Sequence, residues 1–134
     1  MILADISWIA VLIGVILNMA LGAFWYSPSF LGPQWVEAHG FRMEEMRHSP
    51  LNYVGAIFIS LVTSLVIAGI TYYFGINRIG LAVLTGFWLW LGLIATSQFS
   101  GVIWSKKPFK VFLIDAAYYL VSTVMLFVLF SFFA

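Results

Sequence analysis

The sequence predicts an all-α membrane protein, a four-transmembrane-helix antiparallel bundle with a short amphipathic helix in the first hinge. Three observations lead there. Hydrophobic residues make up 63% of the 134 residues and charged ones only 8%, where soluble domains carry roughly a quarter charged. Mean hydropathy is +1.06. The apolar residues also fall into four runs, residues 6–26, 51–74, 79–104 and 109–133. Each has the ~20 residues a helix needs to cross ~30 Å of hydrocarbon. Residues 1–134 therefore read as a single integral membrane domain, with the lipid bilayer as its first partner.

The first run begins after a leader without Lys or Arg and is longer than the apolar core of a secretory signal, so it reads as a retained span. Small residues recur along it at four-residue steps, with Gly14 and Gly22 flanking Asn18. Lipid gives helices no hydrophobic reason to associate, so such stripes predict close helix packing. Ser27-Pro28 ends the span, because proline cannot continue the helical ladder.

Residues 27–50 form the long hinge. Pro33 after Gly32 signals a helix start and Gly40 its stop. The amphipathic turn between them carries Trp35, read as a headgroup anchor together with Trp25 and Tyr26. His39, Glu44 and His48 have ligand chemistry suited to a divalent metal, but their spacing matches no recognised site. Solvated charges explain them as well. No metal and no cofactor is expected.

The second run repeats the small-residue device with Ala56, Ser60, Ser64 and Ala68. In the third, Trp88 and Trp90 lie two apart and point to nearly opposite faces, so one should pack inward and the other meet lipid or another subunit. The short connectors at 75–77 and 105–109 make consecutive spans antiparallel neighbours. Arg42, Arg47, Lys106, Lys107 and Lys110 fall on one side of the membrane and only Arg78 on the other. That bias predicts a cytoplasmic hinge at 27–50 and at 105–109, with both termini outside.

A net charge of +1 points to no nucleic-acid partner. The absence of cysteine excludes disulfide and thiolate chemistry. No paired carboxylates, nucleophile–base dyad or phosphate loop is present, so no catalytic residues are assigned and no enzyme is expected.

Four polar residues inside the spans form the candidate cluster. Asn18 and Gln98 lie roughly 12 Å from the hinge-side ends of their helices, and Asp115 roughly 7–8 Å in. Tyr119, with Tyr118, follows Asp115 by one turn and could donate to it. An acid inside a membrane is costly unless hydrogen-bonded, paired or wet, which makes Asp115 a functional candidate. An ion pair with Lys107 or Lys110 is the competing account. Asn18 and Gln98 can equally tie helices together.

The stretch from Asn18 through Trp25-Tyr26-Ser27-Pro28, followed by Phe30-Leu31-Gly32 and Trp35, resembles an uncharacterised bacterial family of small integral membrane proteins, domain of unknown function 1761. The resemblance covers essentially the whole chain. It implies the bacterial inner membrane and four spans, and supplies no activity to carry over. Two functions lead, ahead of a third, lipid handling by Lys106, Lys107 and Lys110, because basic residues at that hinge follow from topology alone. One is a small homo-oligomeric channel or transporter using the polar cluster. The other is a non-transporting scaffold that docks a membrane-protein partner.

Overall fold

The computed structural model describes residues 2–40 and 50–133. Among these residues every regular element is helical: α1 (Ile2–Asp5), α2 (Trp8–Trp25), α3 (Gly32–His39), α4 (Pro50–Tyr73), α5 (Ile79–Leu89), a π-helical turn (Trp90–Ala95), α6 (Thr96–Trp104) and α7 (Phe109–Ser131). Four helical segments are long and apolar enough to cross a bilayer: Trp8–Trp25, Pro50–Tyr73, Ile79–Trp104 and Phe109–Ser131. The protein is a multi-pass membrane protein.

Local chemistry sets the ends of these helices. The first span starts at Trp8 rather than Ile6, because the Ser7 hydroxyl accepts a hydrogen bond from the Ala10 amide and caps the helix. At the far end of α4, Gly75 takes a left-handed φ of 62°. The amide of Gly75 reaches back to the Tyr72 carbonyl and that of Ile76 to the Thr71 carbonyl. This paired closure satisfies carbonyls the helix would otherwise leave open, and it buries Ile76.

The fourth span is the axis of the bundle. It packs against α2, α4, α5 and α6, and 39% of its most apolar window is buried, against 17–28% for the other spans. Away from the long hinge the interior is dry and filled by residues such as Ala10, Val11, Ile67, Ala68, Leu126 and Phe127. Gly14 permits that closeness: a Cβ there would lie 3.2 Å from Leu126, Phe130 and Ser64 atoms. Ser60, Ser64 and Ala68 are buried on the facing side of α4.

The third span is not uniform. Its π turn begins at Trp90, whose indole N–H donates to the Ala116 carbonyl at 2.8 Å, while Trp88 is exposed. Just beyond it, Thr96 and Ser97 donate back to the Gly92 and Leu93 carbonyls, a bonding pattern that bends helices. The second and third spans, expected to be neighbours, are not packed together: α4 packs on α2 and α7, and α5 on α7. Toward the long hinge, α4 and α6 face each other across open space.

Candidate functional site

The hinge end of the bundle is built around Asp115, in the second turn of α7. Its Oδ1 accepts from the Tyr26 hydroxyl at 2.6 Å and from the Trp35 indole N–H at 2.9 Å. Its Oδ2 lies 3.2 Å from Lys107 Nζ, with the two side chains only 15% and 24% exposed. Lys107 also donates to Gln98 Oε1 at 2.9 Å. One residue earlier, the Ile114 carbonyl accepts from the Trp25 indole at 3.1 Å. Charge-assisted bonds of this kind are short and stronger than neutral ones.

The chain must fold tightly to bring these donors in. After Tyr26 caps α2, the Ser27 hydroxyl donates to the Phe24 carbonyl at 2.7 Å. The amide of Leu31 returns to the Trp25 carbonyl and that of Gly32 to the Ser27 carbonyl. At Gly32 a Cβ would sit 2.5 Å from the Tyr26 carbonyl oxygen and 2.6 Å from that of Ser27, so only glycine fits. Pro33 then starts α3, and the Trp35 ring meets Tyr26 edge-on at 5.4 Å. On the other connector, Lys106 takes a left-handed φ of 56°, and the Gly101 carbonyl accepts from both Ser105 and Lys107. That turn sends the Lys107 side chain inward.

Beside this clasp is a cleft of about 830 Å³. Its walls come from all four spans and include Asn18 and Gly22, Ala56 and Ser60, Ser97 and Gln98, Tyr119 and Thr123. At its inner end, Asn18 Nδ2 donates to Ser60 Oγ at 2.9 Å while the Ser122 hydroxyl donates to Asn18 Oδ1. Three spans are knotted there by one amide. Pro28 and Trp35 contribute to the rim on the hinge side.

The four residues expected to form one cluster therefore divide. Asn18, Gln98 and Tyr119 line the cleft; Asp115 does not, and is joined to it through Lys107 and Gln98. Tyr118 and Tyr119 were expected to donate to Asp115, but Tyr26 and Trp35 occupy that role. Donors carried by the first span and the hinge helix take up Oδ1 instead. Trp25, Tyr26 and Trp35, expected as headgroup anchors, all turn their ring donors inward. A carboxylate shielded from water needs such donors. His39 packs edge-on against Trp35 at 4.3 Å. Glu44 and His48 lie outside the described residues, and among those described no group of three His, Asp or Glu side chains converges.

Sequence reasoning missed the cleft. Its polar lining was visible only as scattered residues, with Thr63 and Ser97 never singled out. The family profile described as "Protein of unknown function (DUF1761)" matches residues 9–131. No curated protein and no solved structure matches the chain.

Proposed function

Because the chain belongs to the DUF1761 family of proteins of unknown function, whose description assigns no activity, we propose a role from its own geometry: a small, non-enzymatic membrane carrier that takes its cargo into the cleft between the second and third spans. The observation that carries this reading is the cleft itself. Its volume of about 830 Å³ falls within the ~300–1,000 Å³ range of small-molecule sites. Amide and hydroxyl groups inside a membrane are costly unless they are bonded or face a cavity, and here both kinds surround one space.

A permanently open channel fits less well. Beyond Asn18 and Ser60 the bundle is filled by Gly14, Ser64, Leu126 and Phe130 in close contact, so the cleft ends blind. Passage then needs a rearrangement, which is the work of a carrier. Asp115 serves in this reading as a positioning residue for the wall, with no contact to cargo. The five basic residues on the hinge side against Arg78 alone favour a cytoplasmic hinge, with both termini outside a bacterial inner membrane.

The cysteine-free sequence allows a clean test. Ser97→Cys in the cleft should react with a membrane-impermeant maleimide added from the hinge side. Ser64→Cys, at a fully buried position in the dry half, should react from the opposite side when the protein cycles. Labelling of Ser97→Cys alone would identify a static scaffold, and labelling of neither would remove the cleft from the function.

A further inference from the structure

We infer that the occupant of the cleft is an uncharged amphiphile, a hydroxyl-bearing head on an aliphatic chain. This rests on the reading of the cleft as a cargo site and names what that site selects. Among the described residues, no acid or base lines the space. The ion pair beside it is engaged with its own partners: both oxygens of Asp115 are occupied, and Lys107 is shared between Asp115 and Gln98. A charged head in the cleft would lose its water and, among the described residues, meet no lining acid or base, which is expensive in a low-dielectric site.

Neutral donors and acceptors are available. No described residue hydrogen-bonds to the Tyr119 hydroxyl, and the Gln98 amide nitrogen likewise has no partner among the described residues. Both face the space, and together they offer one hydroxyl and one NH₂ to a neutral head. A different part of the wall is aliphatic, made by Ala56, Ile59, Leu93 and Ile94 on the second and third spans. These are the two spans that stand apart, so a chain can lie between them and continue into lipid. A site with separate polar and aliphatic walls matches a molecule with the same division.

The test is equilibrium binding of tritiated probes to the purified protein in phosphatidylcholine nanodiscs, with empty nanodiscs as the reference, because an uncharged detergent would itself compete for the cleft. The probes are 1-monooleoylglycerol, oleate, oleylamine and glycerol. Saturable binding of monooleoylglycerol is expected, with oleate and oleylamine at least about tenfold weaker, a difference of about 1.4 kcal/mol, and glycerol not competing. Ser97→Trp, which fills the cleft from an exposed position whose hydroxyl only bonds its own helix, should abolish binding. Ala56→Phe fills it from the other wall as an independent check. Tyr119→Phe combined with Gln98→Leu should weaken monooleoylglycerol about tenfold while leaving the gel-filtration profile unchanged.

Oleate or oleylamine binding as tightly, and lost in Ser97→Trp, would overturn the uncharged head while keeping the cleft as a site. Glycerol competing as well as monooleoylglycerol would overturn the aliphatic tail. Unchanged affinity in the Tyr119→Phe, Gln98→Leu protein would overturn the assigned head contacts. If no probe is displaced by either filling variant, both this inference and the carrier reading fall.

Discussion

The two halves of the bundle use their small residues to opposite ends. Around Gly14 the absence of a side chain lets Leu126, Phe130 and Ser64 close in, and the interior is dry. Two turns along the same helix face, Gly22 has the Tyr118 side chain as its nearest neighbour and borders the cleft. A small residue thus closes one half and opens the other. What differs is the facing side chain: compact aliphatic and aromatic groups fill the first half, while polar groups held by their own hydrogen bonds frame the second. Stability should be concentrated in the dry core and in the clasp at Asp115, with the cleft between them left comparatively tolerant.

Breaking the clasp should have the largest effect. Asp115→Ala leaves Lys107 without its counter-charge and two donors without their acceptor, at a cost of about 3 kcal/mol. Denaturant titration in mild detergent would read this directly, and a change under about 0.5 kcal/mol would show that the clasp contributes little. The double change Asp115→Leu with Lys107→Met should recover much of that loss, since removing both charges leaves none uncompensated.

The glycines sharpen the contrast between the halves. Gly14→Leu forces extra volume into a filled site and should cost about 2 kcal/mol. Gly22→Leu should cost less than about 1 kcal/mol, because only the Tyr118 side chain, 3.3 Å from the new Cβ, must give way at the cleft edge, where three groups crowd Gly14. Thermal unfolding of the two variants side by side would show equal losses if the halves were packed alike. Asn18→Leu comes next: it strands the Ser60 and Ser122 hydroxyls, and interhelical bonds in membranes average about 0.6 kcal/mol each, so a loss of about 1 kcal/mol is expected from the same assay. The smallest effect should be a gain. Lys106 holds a left-handed backbone that glycine adopts freely, and Lys106→Gly should stabilise by at most about 1 kcal/mol, seen as a slightly raised Tm.

Much of the architecture was legible in the sequence for a simple reason. A bilayer imposes a minimum apolar length, so the four spans follow from counting, and Pro28, Pro33 and Gly40 mark the hinge helix by backbone chemistry alone. The Trp88 and Trp90 faces also follow from helical geometry. The site was harder to read because it depends on which distant side chain arrives first. Tyr26 and Trp35 lie 89 and 80 residues from Asp115, and nothing in local spacing distinguishes a tryptophan that reaches inward from one at the headgroups. The π turn at Trp90 and the separation of the second and third spans are consequences of packing, and leave no periodic signature.

The six tryptophans divide evenly. Trp8, Trp88 and Trp104 are exposed, whereas Trp25, Trp35 and Trp90 each aim an indole N–H at the turn formed by Ile114, Asp115 and Ala116. These three rings come from the first span, the hinge helix and the third span. They pin one turn of the last helix from several directions. Sliding that helix by a single turn, ~5.4 Å, would break every one of these bonds together, whereas tilting a neighbouring helix leaves most of them intact. The last helix is therefore a fixed post, and any working motion should be a swing of the second span, which sends no tryptophan to that turn.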